Sequence, residues 1–436
     1  SPTSVPASGL FTNATRNFFD HMNGAHHYRL YAQYWAQTTY PETSQYIMTG
    51  VQNSIWSTIY SGVLQDLKGA KEIIALNNTS NSKNQLAIIE MLEVYAFSVL
   101  VDTYGDVPYT EALDPLNPSP KYDDASTIYS GILSRLDVAI TNMETGVGFD
   151  ASQDPIYGGD MAMWKKAANS LKLRLAMRLA DVNPSVAEQK ASEAAAGVIS
   201  SNADNFGINY LASAPNTHPL WVTLVQSGRN DYVAANTLVD AMNPINDPRL
   251  DYYFELRDGA YVGGIYGDAN AASGFSAVSD ELKNPALKGD LITASEVSFL
   301  LAEAAARGFN VSGDAETHYN NGVISSIEYW GGSAADATAY LAQSDVAYTT
   351  ASGDWKQIIG TQKWIAMYNN QFEGWTTWRL FDQPMLNAVP DMSVEDIPTR
   401  ILYPITEATL NGPALDSAIS AIGGDNKTTK LFWDKF

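Results

Sequence analysis

The side chains best suited to hold a ligand in this sequence are aromatic, with 10 Trp and 24 Tyr among 436 residues. Many of them lie in polar, loop-like stretches rather than in apolar runs. An aromatic ring packs against the apolar C–H face of a sugar ring, and the sugar hydroxyls then need fixed amide, carboxylate or guanidinium partners. Both ingredients occur together in residues 31–46 and near the Tyr329-Trp330 pair, which precedes two glycines.

Position on loops and helix ends selects the candidate glycan-binding residues from this larger aromatic set. They are Trp330, Tyr329, Trp221, Tyr261, Tyr266, Arg229, Asn230, Asp231, Trp35, Tyr34 and Gln45. Trp330 leads the prediction as a stacking surface, and residues 229–231 supply partners for hydroxyl groups. Trp35, Tyr34 and Gln45 form a second, weaker cluster.

Four other tryptophans fit a core better than a site. Trp56, Trp164, Trp364 and Trp378 lie at helical spacing among apolar residues, as expected for helix packing. They are therefore left out of the predicted site.

Catalytic groups are harder to find. A glycoside hydrolase needs two carboxylates facing one bond, about 5–10 Å apart. With 48 acidic residues, pairs such as Asp102/Asp106 and Asp123/Asp124 arise by chance, and they suit turns and helix caps. The adjacent His26 and His27 point to different sides of any regular element. We expect no enzyme, with a helical-barrel glycoside hydrolase or lyase as the alternative.

Metal and cofactor signatures are missing from the sequence. No HExxH, EF-hand loop, P-loop or GxSxG motif occurs, which removes the best evidence for zinc, phosphate-binding or serine-hydrolase sites. The chain has no cysteine, which excludes disulfides and thiolate ligands. The expectation is that no cofactor is used, with a calcium ion held by scattered loop oxygens as an open alternative.

The charge balance narrows the choice of partner. Lys plus Arg is 26 against 48 Asp plus Glu, a formal net charge of −22. Such a field repels phosphate backbones and anionic lipid, so no nucleic-acid partner is expected. A neutral oligosaccharide or polysaccharide feels no such repulsion.

Helical patterns dominate the chain and must position these residues. Amphipathic segments at about 51–76, 86–102, 125–143, 161–181 and 185–200 predict helix pairs resembling tetratricopeptide repeats, with an ordinary α-bundle as the alternative. Residues 201–290 are rich in Gly, Asn, Pro and Tyr and predict functional loops. Helices return at 291–307, 315–329 and 355–372, and the tail from Asp382 reads as loop. Residues 1–9 read as a small-residue tether.

Several segments, taken in chain order, resemble the SusD/RagB family of Bacteroidota outer-membrane lipoproteins. The motifs are YGDVPY at 104–109, WKKAANSLKLR at 164–174, LITASEV at 291–297 with LAEA at 301–304, QKWIA at 362–366 with EGW at 373–375, PTR at 398–400 and WD at 433–434. They extend from about residue 50 to the C-terminus. All of them are scaffold motifs, and none marks a ligand.

The resemblance implies an all-α fold and one SusD-like domain over residues 1–436, with a helical-repeat scaffold up to about residue 200 and a loop-rich part in 201–436. It implies non-catalytic glycan binding on the outward face of the outer membrane. It also implies delivery to a SusC-like TonB-dependent transporter and membrane contact only through an N-terminal lipid anchor, whose cysteine is absent from this sequence. A protein-recognition repeat scaffold is the remaining alternative.

Overall fold

The computed structural model describes residues 5–436. The chain is mostly α-helical, which confirms the predicted all-α class with minor strands. The α-helices in chain order are α1 Ala7–Gly24, α2 His26–Tyr31, α3 Val51–Ser57, α4 Gln65–Asn77, α5 Ser82–Tyr104, α6 Ala125–Asn142, α7 Met161–Arg178, α8 Pro184–Ala195, α9 Pro219–Trp221, α10 Asn236–Met242, α11 Leu250–Tyr253, α12 Ala294–Ala306, α13 Ala315–Tyr329, α14 Ala334–Leu341, α15 Trp355–Ala366, α16 Gln371–Phe381, α17 Glu407–Leu410 and α18 Gly412–Ile422.

The chain divides into two compact units. The first contains the described residues up to His21, Met48–Val198 and Thr399–Lys435, and the second contains Met22–Ile47, Ile199–Pro398 and Phe436. The chain passes from the first unit to the second after Val198, whereas the sequence analysis treats residues 1–436 as one domain whose helical scaffold ends at about residue 200. The sequence did not predict that residues 22–47 belong to the second unit and residues 399–435 to the first.

Consecutive helix pairs build the first unit. Helix α5 contacts α4, α6 and α7, which explains why it is apolar nearly all round. It ends at Gly105, whose φ of +97° suits a residue without a side chain. Asp124 caps α6 by accepting the backbone N–H of Thr127, and Asp160 caps α7 in the same way. These pairs match the predicted tetratricopeptide-like scaffold.

The second unit combines helix pairs with short strands and long loops. Helices α12 and α13 pack together and against α15 around buried Phe299, Val323 and Ile359. Strands β1 Trp35–Gln37, β2 Phe206–Ile208, β3 Tyr232–Ala234 and β4 Gly289–Ile292 form two antiparallel pairs, β1 with β3 and β2 with β4. The β1–β3 pair places the residues that follow β1 at the same end of the paired strands as the predicted site residues 229–231, which precede β3.

Both chain ends differ from the sequence prediction. Ala7–Gly9 belong to α1 and not to a tether, while residues 1–4 lie outside the described part of the chain. The predicted loop after Asp382 contains α17 and α18, the latter beginning with Pro413 in its first turn. Trp433 is buried, and its indole N–H donates to the Asp102 carboxylate at 2.9 Å. The hydrophobic end of the chain is therefore part of the core of the first unit.

In residues 5–436, none of the helices has both the length and the apolar character needed to cross a bilayer.

Candidate functional site

Burial separates the predicted site residues into two groups. Tyr34 and Trp35 are 0% exposed and Tyr266 is 1% exposed. The Tyr34 hydroxyl donates to the Trp364 carbonyl at 2.5 Å, and the Trp35 indole N–H donates to the Tyr368 hydroxyl at 2.8 Å. These three rings fill the core of the second unit, so their prediction as sugar-stacking surfaces is wrong.

Trp330 is also a packing residue, with 8% of its surface exposed. Its ring lies edge-on to Tyr253 at 5.1 Å and contacts Tyr329 at 5.4 Å between ring centroids. The pocket beside it, also lined by Asp290 and Asn369, has a volume of about 20 Å³, which is room for about one water molecule. A sugar ring does not fit there, and the leading prediction is corrected accordingly.

Tyr329 lines the same small pocket and is half-buried. Burial of its hydroxyl raises the pKa of Tyr329 well above the usual value, and the neighbouring Asp290 carboxylate acts in the same direction. The phenol stays neutral and acts as part of the polar interior. Its position gives no open stacking face of the kind the sequence predicted.

The three predicted hydroxyl partners lie on the surface, next to the β1–β3 pair. The β3 strand is preceded by Arg229 and Asn230, which are exposed, and by the half-buried Asp231. Two hydrogen bonds extend the ladder to this segment: Thr38 N–H donates to the Asp231 carbonyl at 2.9 Å, and the Thr38 hydroxyl donates to the Asn230 carbonyl at 2.5 Å. Their backbone is thus fixed although their side chains face solvent.

Tyr40 is the exposed aromatic ring of this region, and the sequence-based site omitted it. It is 69% exposed, and the guanidinium of Arg229 lies over its ring at 5.8 Å from the centroid. Arg229 also forms a two-bond ion pair with Asp231, at 2.6 Å and 3.0 Å. We call Tyr40, Arg229, Asn230 and Asp231 the Tyr40 face. It combines one exposed ring with charged and amide side chains carried on a fixed backbone.

Glutamine side chains hold the loop that carries Tyr40. The Gln37 side chain donates to the Tyr40 carbonyl at 2.9 Å and accepts from the Ser44 backbone N–H at 3.0 Å. Gln45 donates to the Gly267 carbonyl at 3.0 Å and so joins this loop to the next. Gln45, predicted as a ligand residue, thus positions the loop. Tyr40 itself has a φ of +54°, a conformation that costs energy for a residue with a side chain and that these bonds maintain.

Trp221 and Tyr261 are both partly exposed but differ in setting. Trp221 ends α9 and is followed by the π-helical Val222–Gln226, which leads into the Arg229 segment. It therefore remains a stacking candidate in the segment that precedes Arg229 in the chain. Tyr261 belongs to a separate loop, where its hydroxyl donates to Asp251 and its carbonyl accepts from Asn243 at 3.2 Å.

The carboxylates considered as catalytic pairs have structural partners. Asp124 caps α6, and Asp123 accepts the backbone N–H groups of Tyr109 and Thr110 at 3.1 Å and 2.7 Å. Asp102 is buried, where it pairs with Arg178 and accepts from the Tyr129 hydroxyl at 2.6 Å. Asp106 accepts the Ala125 backbone N–H at 2.9 Å. These contacts account for all four acids as cap, turn and core groups, as the sequence suggested for the turns.

No group of three or more His, Cys, Asp or Glu side chains is arranged to hold a metal ion in residues 5–436. A calcium ion bound by other loop oxygens stays an untested alternative.

Comparison with known proteins decides the family. A family model described as SusD-like, starch-binding and associating with the outer membrane matches residues 1–404.

The chain belongs to the SusD-like family. No curated protein matches it significantly, but solved structures match over nearly their whole length. A chitin-binding protein is 27% identical, with a TM-score of 0.86 over 99% of this chain and 100% of that one. A SusD-like protein from Bacteroides thetaiotaomicron VPI-5482 is 26% identical, with a TM-score of 0.83 over 98% and 99%.

A chitin-binding SusD homologue from Flavobacterium johnsoniae is 24% identical, with a TM-score of 0.84 over 98% of both chains. At that identity the likeness concerns the fold alone. Taken together, the family match and the helical architecture confirm the recognition made from the scaffold motifs. None of the residues of the Tyr40 face belongs to a scaffold motif. The family match therefore does not identify the binding residues of this SusD-like chain, and its own surface has to do so.

Proposed function

We propose that this SusD-like chain is a non-catalytic binder of oligosaccharide or polysaccharide and that the Tyr40 face is its main contact surface. The observation that carries the proposal is the exposed Tyr40 ring beside Arg229, Asn230 and Asp231, in a chain of a family described as starch-binding. The face supplies the two elements that sugar recognition needs, an open aromatic surface and fixed polar partners.

The polar groups of the face suit hydroxyl recognition. A sugar ring that stacks on Tyr40 brings its equatorial hydroxyl groups towards the rim, where Asn230 offers an amide and Asp231 offers carboxylate oxygens. Because Arg229 and Asp231 already neutralise each other, the face has no free charge to pair with an acidic sugar. Water competes for the hydrogen bonds of an exposed site, and binding also costs the entropy of ordering the glycan and the side chains. The net free energy of binding is therefore small, and the expected affinity is weak to moderate.

The overall charge supports a neutral glycan. At −22, the chain repels polyuronates and sulfated polysaccharides at low ionic strength. A similar chain is described as a chitin-binding protein, chitin is uncharged, and the family description names starch. A neutral glycan of that chemical class is the ligand that the surface favours.

Delivery of the bound glycan is the second part of the proposal. The family description associates its members with the outer membrane. We propose that this chain, held outward-facing by a lipid anchor, passes its glycan to a SusC-like TonB-dependent transporter. The family resemblance supports this step.

The test is a panel of neutral glycans in affinity electrophoresis, with starch, chitin oligosaccharides and β-glucan on one side and polyuronate on the other. Retardation by at least one neutral glycan, with no new reducing ends in the same samples, is the expected result. Release of product would favour the hydrolase or lyase alternative. Absence of retardation, together with capture of a peptide ligand, would favour the repeat-scaffold alternative.

A further inference from the structure

The first unit has a cleft of about 380 Å³ that is lined by residues of α4, α5 and α6. This volume falls in the range of about 300–1,000 Å³ that is usual for small-molecule sites. The Tyr40 face belongs to the second unit, and none of its residues lines the cleft. A ligand bound in the cleft is therefore separate from the proposed glycan.

The cleft has an aliphatic side. Leu86 of α5 is half-buried, and Val138 of α6 is 60% exposed. Ala87 and Ala139, from the same two helices, also line the cleft and are buried. Because an alanine side chain is a single methyl group, these two positions leave space that a larger side chain would fill. The cleft thus offers an apolar surface on which a hydrocarbon chain can be buried.

A network of four charged side chains borders the same cleft. Lys71 donates to Glu90 at 2.6 Å and to Glu93 at 3.0 Å, and Arg135 donates to the same two carboxylates. Arg135 also donates to the Tyr109 hydroxyl at 3.3 Å. Two cations and two anions make the network formally neutral, and its bonds fix the positions of the cations before a ligand binds.

The network has spare hydrogen-bond donors on the side of the cleft. A lysine ammonium has three N–H donors and an arginine guanidinium has five. In the described part of the chain, Lys71 uses two of its donors and Arg135 uses three. Lys71 is 38% exposed, against 25% for Arg135 and 18% for Glu90, so its ammonium is the most accessible of the three charged groups that line the cleft.

The accessible acceptors, in contrast, are already in use. Glu90 is the carboxylate that lines the cleft, and each of its two oxygens accepts a hydrogen bond, one from Arg135 and one from Lys71. The end group that complements the network is therefore an acceptor. A carboxylate suits it best, because a hydrogen bond between two ionised groups is stronger than one to a neutral acceptor.

We propose that this cleft binds a small carboxylate with an aliphatic chain, of the fatty-acid class. The carboxylate accepts from Lys71, and the chain covers Leu86 and Val138. An ammonium-ended ligand is disfavoured, since it meets Lys71 and Arg135 and finds no unused oxygen on Glu90. A neutral glycan is also disfavoured, because the described residues that line the cleft include no aromatic ring for a sugar to stack on.

The probe for the experiment is n-octanoate, titrated into the purified full chain at about 0.15 M salt, where charges more than about 8 Å away are largely screened. Isothermal titration calorimetry and saturation-transfer NMR measure its binding. A ligand of this size in an open cleft is expected to bind with a Kd of about 1 mM. Octylamine, which has a chain of the same length and the opposite charge, should not displace it.

Two variants separate the charged and the aliphatic side of the cleft. Lys71→Gln removes the accessible ammonium, and Val138→Asp puts a negative charge on the aliphatic side. Each should weaken octanoate binding at least about fivefold. Lys83→Gln, at an α5 lysine that pairs with Glu144, and Leu76→Asp, at an α4 leucine that is 85% exposed, are matched controls and should bind unchanged. Circular dichroism and thermal unfolding verify that each variant is folded.

The inference is overturned if the wild-type chain does not bind octanoate, if octylamine displaces it, or if either cleft variant binds it as tightly as the wild type. Displacement of octanoate by starch or chitin oligosaccharides would make the cleft a glycan site and would also overturn it. Tyr40→Ala should leave octanoate binding unchanged, and Lys71→Gln should leave glycan retardation unchanged. A failure of the glycan-binding proposal is therefore distinguishable from a failure of the carboxylate site.

Discussion

The guanidinium of Arg229 lies 5.8 Å from the centroid of the Tyr40 ring, and the same guanidinium donates two hydrogen bonds to the Asp231 carboxylate. Arg229 thus links the one exposed ring of the region to the carboxylate beside it. The arrangement positions the Tyr40 ring, the Arg229 guanidinium and the Asp231 carboxylate relative to one another before a ligand binds. Preorganisation of this kind lowers the ordering cost of binding.

Replacement of Tyr40 by Ala should weaken neutral glycan binding about tenfold, because it removes the stacking face, whose contribution is about 0.5–1.5 kcal/mol beyond area burial. Isothermal titration with the best glycan of the panel measures the change. Tyr40→Phe keeps the ring and should bind nearly as well as the wild type. Full-strength binding by a folded Tyr40→Ala chain would remove Tyr40 from the site.

Neutralising the carboxylate of the face should affect binding but not stability. Asp231→Asn breaks the ion pair with Arg229, so we expect glycan affinity to fall severalfold as the guanidinium loses its fixed position. The thermal midpoint should stay within error, because the pair is exposed on the Arg229 side. Glu255→Gln breaks a comparable ion pair with Lys283 and should change neither quantity. Equal effects of the two variants on glycan affinity would contradict the assignment.

The scaffold was predictable from the sequence because its signals are local. The period of the apolar residues, the caps at Asp124 and Asp160 and the break at Gly105 all act within a few residues, and the observed helices follow them. The tail helix α18 was missed because the Pro- and Asp-rich composition after Asp382 suggested loop, whereas Pro413 lies in the first turn of that helix, where proline is favourable.

The site was less predictable, because exposure of a ring depends on contacts made far along the chain. Tyr34, Trp35 and Tyr40 share one polar stretch and look alike in sequence. The first two are buried by residues 364–368, about 330 positions away, whereas Tyr40 follows the end of β1 and reaches solvent. One available signal was the distance of Tyr40 from the strand, since Thr38, Thr39 and Pro41 around it indicate a turn.

A comparison of Trp330 with Trp221 tests whether Trp330 is a packing residue and not a sugar-stacking one. Trp330→Ala should lower the free energy of unfolding by about 3–5 kcal/mol, since it opens a cavity against Tyr253 and Tyr368. Trp221→Ala should destabilise the protein less, because Trp221 is partly exposed, and should weaken glycan binding. Chemical unfolding and titration on both variants measure the two effects. A Trp330→Ala chain of wild-type stability with weakened glycan binding would restore Trp330 to the site.

The buried ion pair of Asp247 and Arg249 should be critical for folding of the second unit. Both side chains are 0% exposed, and Arg249 also donates to Gln362 at 2.8 Å and to Ser326 at 3.1 Å. Asp247→Ala leaves a buried cation without its counter-charge, so we expect a loss of about 3–5 kcal/mol. Asp280→Ala, at an exposed ion pair with Lys283, is the control and should cost far less. Comparable losses in the two variants, measured by chemical unfolding, would show that the buried pair has no special weight.

Histidine burial should make stability fall in mild acid. Burial lowers the pKa of His21 to about 4 and that of His218 to about 3, from a usual value of 6.5. Between pH 6.5 and 4 these histidines therefore bind protons in the unfolded chain but not in the folded chain. The free energy of unfolding consequently decreases as the pH falls, by up to about 1.4 kcal/mol per pH unit for each histidine. Above pH 6.5 both states leave these rings neutral, and the effect vanishes.

His21→Gln removes one such group, so its thermal midpoint should fall less steeply than that of the wild type between pH 6.5 and 4.5. Since carboxylate titration is common to both chains, the difference in slope isolates His21, and identical slopes would show that its ring gains a proton in the folded protein as easily as in the unfolded one.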